Sequence, residues 1–334
     1  MKMTFKAVMV DLKDDQVEAK VTDVTEEQLP KGEVLIRVAY SSVNFKDGLA
    51  GLKDGKIVQS YPFIPGIDLS GTVESSEDSR FKKGDPVIAT SYDIGVTHFG
   101  GYSEYARIPA DWVVPLPEGL SLREAMIFGT AGFTAALSVH RLEKEDVTPE
   151  SGDVLVTGAT GGVGSMAVAM LAAKGYQVTG STGKSSEHEY LKSLGASNVI
   201  SRDEVYDGGK IRPLNKGIWA GAVDPVGGDS LASVLSKMKQ NGAVAVSGLT
   251  GGTKVPATVH PFILRGVSLL GVDSAYCAMP LREQIWKRLG SDLKPELLEE
   301  MVDREVELQD VPHAMSEIIE SKIRGRVLVK VAGE

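Results

Sequence analysis

Short runs of β-branched and other apolar residues, each closed by Gly, Pro or Asp, fill the first third of the chain. Residues 6–12, 17–21, 33–40, 69–73 and 86–90 each have the length and composition of a strand. The run from Gly100 to Pro109 continues the pattern, so this part predicts a compact β-barrel-like domain. Around residues 116–121 the texture changes. Pro115, Pro117 and Gly119 punctuate the chain, and Ser121-Leu-Arg-Glu124 has the spacing of a capping box ahead of an apolar helix. Beyond it, short apolar runs alternate with helical stretches of about ten residues or more, the pattern of a parallel sheet covered on both faces. The strand candidates are 154–157, 177–180, 198–200, 220–224, 243–247 and 267–271, six in all, enough for a dinucleotide-binding sheet. From about Leu293 an amphipathic helix (311–321) and an alternating strand (326–331) are expected to return to the first domain. The expected fold is therefore α/β, with a six-stranded sheet domain over 123–293 and a β-rich domain over 1–122 and 294–334.

Residues 153–164 read Asp-Val-Leu-Val-Thr-Gly-Ala-Thr-Gly-Gly-Val-Gly, a strand that runs into a glycine-rich turn. A small-residue helix follows over 165–174, which is the context a dinucleotide fingerprint requires. Gly158, Gly161 and Gly164 permit a tight turn, close approach of a pyrophosphate and close helix packing. Free N–H groups at the helix start attract phosphate, so Gly158, Thr160, Gly161, Gly162, Val163 and Gly164 are the candidate cradle. The alternative is a glycine-rich turn with no ligand. The second strand of this sheet ends Val178-Thr-Gly-Ser-Thr-Gly-Lys184, without the carboxylate that normally holds the ribose hydroxyls of NAD. Hydroxyls and a cation suit a 2′-phosphate, so Ser181, Thr182 and Lys184 point to NADPH rather than NADH, unless Lys184 is a solvated surface lysine.

A chain of 334 residues is long for one core, in line with two domains. With 36 Lys and Arg against 45 Asp and Glu, the net charge of -9 argues against nucleic acid as a partner. Residues 1–10 lack the apolar stretch of a signal peptide and no later run is long enough to span a bilayer, so no membrane partner and a cytoplasmic location are expected. The single cysteine, Cys277, excludes an internal disulfide and any zinc site built from several thiolates. Five histidines, His98, His140, His188, His260 and His313, fall at no metal-ligand spacing, and no metal is expected.

The glycine turn, Gly129-Thr-Ala-Gly-Phe-Thr-Ala135, Val223-Asp-Pro-Val-Gly-Gly228, Ser247-Gly-Leu-Thr-Gly-Gly252 and Gly325-Arg-Val-Leu-Val329 together resemble the zinc-free quinone oxidoreductase branch of the medium-chain dehydrogenase/reductase superfamily. Within it, Tyr40-Ser-Ser-Val-Asn-Phe-Lys-Asp47, Pro65-Gly-Ile-Asp-Leu-Ser-Gly71 and residues 262–273 resemble the YhdH/YhfP group of quinone oxidoreductases, which includes acryloyl-CoA reductases. The resemblance implies a GroES-like barrel beside a Rossmann domain. It also implies NADPH-dependent hydride transfer to an enoyl thioester or a quinone. A broad enone or quinone reductase without CoA preference, and a non-catalytic NADPH-binding protein, are the alternatives. Zinc-dependent members place a Cys ligand near the position of Asn44 and Gly-His-Glu at Gly66-Ile67-Asp68, and this chain has neither.

In the resembled family main-chain groups matching Gly248, Leu249, Leu270 and Val272 hold the nicotinamide, with Thr130 below it, Thr134 nearby and Arg326 close to the phosphates. Thr130 and Thr134 could equally serve close helix packing, and Arg326 could pair with an acid on the barrel. Asn44 and Asp47 replace the metal-ligand loop, where the Asn44 amide would donate to the forming oxyanion. Both could instead cap the helix that follows. Tyr40 is either a proton donor or a packed strand tyrosine, and Asp68 is left between an orienting role and that of a turn aspartate. The segment 267–271 is expected at a sheet edge, free to pair with its copy in a homodimer.

Overall fold

A computed structural model describes residues 3–332. Its contacts divide the chain into two compact units, the first running to Thr130 and including Ala275–Gly290 and the residues from Leu298, the second Ala131–Ser274 with Ser291–Leu297. Along the chain, the first unit supplies strands β1 (Thr4–Lys13), β2 (Gln16–Thr25) and β3 (Val34–Val43), the short helix α1 (Phe45–Ala50), then β4 (Asp68–Ser76), β5 (Pro86–Thr90), β6 (Tyr105–Ile108) and β7 (Val113–Pro115). Helix α2 (Leu122–Lys144) follows, opened by the capping box: Ser121 N–H donates to Glu124 Oε2 at 2.9 Å and Glu124 N–H to Ser121 Oγ at 3.1 Å. The second unit then alternates β8 (Val154–Val156), α3 (Gly162–Ala173), β9 (Val178–Thr182), α4 (His188–Ser193), β10 (Asn198–Ser201), α5 (Arg202–Tyr206), β11 (Trp219–Asp224), α6 (Gly228–Ser236), β12 (Met238–Val246), α7 (His260–Arg265) and β13 (Ser268–Gly271). Helix α8 (Met279–Leu289), β14 (Val302–Glu307), α9 (Val311–Ile319) and β15 (Arg326–Lys330) complete the first unit.

In the second unit the six strands are ordered β10-β9-β8-β11-β12-β13, and every ladder is parallel. Val154, Leu155 and Val156 are each fully buried because helices cover both faces of a parallel sheet. Strand order reverses at β8, and ligands of such sheets bind beyond the carboxyl ends of the strands at that point. The first unit holds a seven-stranded sheet, β14-β15-β3-β4-β5-β7, with β6 also paired to β3. Its core gathers Val34, Ile36, Val38, Leu69, Val87 and Ile108 from alternating positions.

Where the sequence pattern placed 123–293 together, Ala275–Gly290 with α8 lies in the first unit. The cause is Arg282, which is 1 % exposed and donates from Nη1 to Thr90 O at 3.1 Å, so this turn of α8 is anchored on the end of β5. Strands β7 and β14 were not foreseen; β14 reads Val-Asp-Arg-Glu-Val-Glu, half-exposed at the sheet edge where apolar alternation is weak. Among the described residues no helix is long and apolar enough to cross a membrane.

Candidate active site

At the switch point of the second unit, β8 passes through a turn into α3, whose N-cap is Gly161. Gly158 has φ +55°, and a Cβ on Gly164 would lie 2.2 Å from Gly158 O, so both glycines are required by the turn itself. Gly161 is different. A Cβ there would meet only Gly158 O at 3.5 Å, so the protein's own packing does not demand glycine, and the open space fits a group approaching the backbone. Thr160 is buried with its hydroxyl 3.4 Å from that of Thr182, joining the turn to the end of β9. Gly162 and Val163 form the first turn of α3.

At the ends of β11 and β12 the chain is held by Asp224, fully buried, which accepts from the Thr157 hydroxyl and from Gly227 N–H at 2.8 Å. Burial raises the pKa of Asp224 against those donors. Gly248 is needed because a Cβ would lie 2.0 Å from Pro225 O. Beside it, Ser247 Oγ is buried without a hydrogen-bond partner among the described residues, an orphaned polar atom of the kind a ligand satisfies. Leu249 is 61 % exposed, Leu270 is half-buried on β13 and Val272 is buried just beyond it. Thr134 is buried, and its hydroxyl donates to Ser274 Oγ at 2.8 Å.

Beyond β9 and β10 lies a cavity of about 330 Å³ lined by Thr182, Gly183, Ser185, His188, Ser201, Arg202 and Asp203. Ser181 and Thr182 are both buried, and Thr182 Oγ1 accepts from Lys184 N–H at 3.0 Å. The guanidinium of Arg202 lies so close over Gly183 that a Cβ would come within 3.1 Å of Nη2. The Arg202 guanidinium forms no hydrogen bond or ion pair among the described residues, whereas Lys184 is not a free cation. Sequence reasoning missed Arg202 because it lies 20 residues from Thr182 and only parallel pairing, Ser201 beside Thr182, brings it near.

The first unit contains a buried polar cluster centred on Asp68, the first residue of β4 and fully inaccessible. Asp68 accepts from Ser42 Oγ and Asn44 Nδ2, each at 2.7 Å. It also accepts from the Thr130 main-chain N–H, at 2.9 and 3.0 Å to its two oxygens, and from Thr130 Oγ1 at 2.5 Å. Arg326, 2 % exposed at the start of β15, donates to Ser42 Oγ at 2.7 Å, Ile127 O at 2.9 Å, and Val43 O and Asn44 Oδ1 at 3.2 Å. Its Nη2 stands 3.8 Å from Asp68 Oδ2. Burial lowers the Arg326 pKa, opposed by the charges of Asp68, Tyr102 and Asp47. The cluster exists because Gly129 interrupts α2 with φ 51° and ψ -156°. A Cβ there would stand 2.4 Å from Asp68 Oδ2 and 2.6 Å from Arg326 Nη2.

These positions correct three expectations. Arg326 is enclosed with each guanidinium nitrogen occupied, so it pairs with the barrel acid Asp68 rather than standing free for cofactor phosphates. Asn44 turns its amide N–H groups to Asp68 and, at 3.4 Å, to Ser42 O, and it precedes α1 as N-cap; it is not positioned as an oxyanion donor. Asp47 is fully buried and accepts from Asn44 N–H at 2.8 Å and Ile67 N–H at 2.9 Å, so it fastens α1 to the Pro65–Asp68 segment instead of facing a substrate. Burial, then the Asp68 charge, pushes its pKa up to about 7 against the two main-chain donors. Tyr40 is 7 % exposed, opposite Ser70 and Lys330 in its ladders, which favours packing over proton donation. Asp68, left open from sequence, is the hub; the Ser-Ser-Val-Asn and Gly-Ile-Asp strings gave no sign of their contact across 24 residues.

Comparison with known proteins agrees with this architecture. The family described as "Alcohol dehydrogenase GroES-like domain" matches residues 30–118, and the one described as "Zinc-binding dehydrogenase" matches 162–288. The acrylyl-CoA reductase AcuI of Ruegeria pomeroyi is 49 % identical over 330 residues, covering 98 % of this chain and 99 % of the relative. A solved structure of Bacillus subtilis protein yhfP with NAD bound is 59 % identical, with a TM-score of 0.96 over 98 % of this chain and 99 % of that one. That of the yhdH oxidoreductase from Salmonella enterica in complex with NADP is 48 % identical, with a TM-score of 0.95 and the same coverage.

Proposed function

We propose that this chain, which belongs to the medium-chain dehydrogenase/reductase superfamily, is an oxidoreductase that transfers hydride from NADPH to an α,β-unsaturated acceptor, an acryloyl-CoA-like thioester or a quinone, without a bound metal. The observation that carries the nucleotide is the half-site of the second unit: a glycine turn at the switch point, open space at Gly161, and the orphaned Ser247 hydroxyl. These features fit a dinucleotide, whose pyrophosphate would lie against Thr160, Gly161, Gly162 and Val163 at the start of α3. Ser181, Thr182 and the unpaired Arg202 would receive a 2′-phosphate, although Asp203 lines the same cavity. Lys184 is the secondary cation of that subsite. Gly248, Leu249, Leu270, Val272, Thr130 and Thr134 are assigned to the nicotinamide end on the family resemblance.

Bound NADPH supplies the hydride. The chain's own contribution is placement: Asp68 and Arg326, with the Asn44 side chain between them, lock Thr130, so it does not have to reorganise when the cofactor binds. A zinc ion does not fit this cluster. Among the described residues no group of three His, Cys, Asp or Glu side chains could hold a metal, and the Arg326 guanidinium already stands beside Asp68. The acryloyl thioester is favoured by the reductase relative, the quinone by a quinone oxidoreductase of Sus scrofa that is 29 % identical over 302 residues. Dimerisation through β13 is part of the proposal. That strand is one edge of the six-stranded sheet, Leu269 on it is 42 % exposed, and Ile263 and Leu264 on α7 are 71 % and 55 % exposed.

The test follows NADPH absorbance with acryloyl-CoA, crotonyl-CoA and a small quinone in parallel, repeated with NADH and with a chelator. Oxidation of NADPH by at least one acceptor, unaffected by chelator, is expected. Absence of oxidation with every acceptor, or abolition by chelator, contradicts the reading.

A further inference from the structure

Two consecutive residues of the first unit, Ser91 and Tyr92, adopt left-handed backbone conformations with φ 64° and 48°. Neither is glycine, and such pairs persist only where surrounding contacts enforce them. Here the enforcement is visible. The Tyr92 ring is stacked on Trp112, with centroids 5.5 Å apart and 9° between planes, and on the Arg282 guanidinium at 4.3 Å. Arg282 also donates to Thr90 O, immediately before the pair, and to Ala275 O at 3.0 Å, the carbonyl that receives Tyr92 N–H. The Tyr92 hydroxyl donates to Cys277 O at 3.1 Å and Ser91 N–H to Ile67 O at 2.8 Å.

What this geometry delivers is the Ser91 hydroxyl, 3 % exposed as a residue, at 2.9 Å from Thr130 Oγ1. Thr130 Oγ1 donates to Asp68 Oδ1, which leaves it an acceptor toward Ser91. We propose that Ser91 is a positioning residue that fixes the Thr130 hydroxyl through the chain Ser91 Oγ, Thr130 Oγ1, Asp68 Oδ1, and that the Arg282–Tyr92–Trp112 stack holds Ser91 in its left-handed conformation for that purpose. The functional consequence rests on the reading of Thr130 as a cofactor-facing residue. The open end of the chain is then a Ser91 lone pair, an acceptor, because both hydroxyl protons point toward the carboxylate.

Glycine separates strain from chemistry. It is comfortable at φ 64°, so Ser91→Gly removes the hydroxyl while relieving the backbone. The expected result is a fall in kcat of about fivefold to tenfold with KM for NADPH within about twofold, the scale of one hydrogen bond lost near the reacting groups. In a Thr130→Val background the same substitution should have no further effect, and Trp112→Leu should lower kcat in the native background but not beside Ser91→Gly. Unchanged kcat in Ser91→Gly, or additive losses in the double variants, overturns the proposal. The denaturant midpoints of Ser91→Gly, Thr130→Val and the double variant give a readout independent of turnover. If wild-type protein oxidises NADPH with no acceptor, the functional reading fails by itself, while less-than-additive midpoint shifts still support the hydroxyl chain and additive shifts refute it.

Discussion

Replacing Gly129 by alanine puts one methyl group into the centre of the Asp68 cluster. The new Cβ would stand 2.4 Å from Asp68 Oδ2, 2.6 Å from Arg326 Nη2 and 2.7 Å from Ser42 Oγ, all side-chain atoms held by hydrogen bonds at both ends. The backbone at φ 51°, ψ -156° is a glycine conformation, which costs an alanine about 1–3 kcal/mol. Displacing the buried pair Asp68–Arg326 from its donors adds about 3–5 kcal/mol when the partners can no longer meet. The sum, roughly 4–8 kcal/mol, is comparable to the whole stability of a domain. Differential scanning calorimetry should therefore show the unfolding of the first unit lowered by about 10 °C or more, with the second unit still able to bind a dye that recognises nucleotide sites. A variant within about 1 kcal/mol of the native protein would show that the cluster can be displaced cheaply and that Gly129 is not what makes room for it.

Arg202→Ala should weaken 2′,5′-ADP binding by calorimetry about tenfold while leaving 5′-AMP unchanged, with a smaller loss for Lys184→Ala; an undiminished affinity for 2′,5′-ADP in the Arg202 variant, or an equal loss for 5′-AMP, would remove that subsite. Asp47 predicts a pH dependence: its carboxyl is raised from 3.8 to about 7, so the folded protein holds the proton more tightly than the unfolded chain does. Its stabilisation is complete below about pH 4 and is lost as pH rises through about 7, on the order of 2–4 kcal/mol in total. Asp47→Asn should flatten the change in melting temperature between pH 5 and pH 8, and an unchanged slope contradicts the assignment. Leu269→Lys on the exposed edge strand should shift the protein toward monomer in light scattering coupled to size exclusion; an unaltered mass would exclude β13 from the interface.

The dinucleotide sheet was legible because its signals are local. A β8 of three buried aliphatics, a turn needing glycine at two positions and a small-residue helix are all contiguous in the chain. Strand β5 falls at the residues expected, and β9 extends two residues past its predicted end, to Thr182. The buried cluster was not legible. Asp68, Arg326, Ser42 and Thr130 lie on four separate segments, and only the antiparallel β3–β4 and β3–β15 ladders with the break at Gly129 bring them together. Asn44 and Asp47 illustrate the limit of reading residue type alone. An amide and a carboxylate in a loop suggest chemistry on a substrate, yet both are consumed by the capping of α1 and by the hub. The same holds for Arg326, a cation whose partner is an acid that the sequence left between an orienting role and that of a turn aspartate.

Stereospecifically deuterated NADPH, metal-free protein verified by elemental analysis, and mass spectrometry of the reduced acceptor together test the central claim. Deuterium at the β-carbon of propionyl-CoA from acryloyl-CoA, or on the reduced quinone's turnover as a kinetic isotope effect, is the predicted result. Propionyl-CoA free of label from both C4 epimers of deuterated NADPH together with no isotope effect on quinone reduction, or turnover that appears only when a divalent metal is restored, would contradict it.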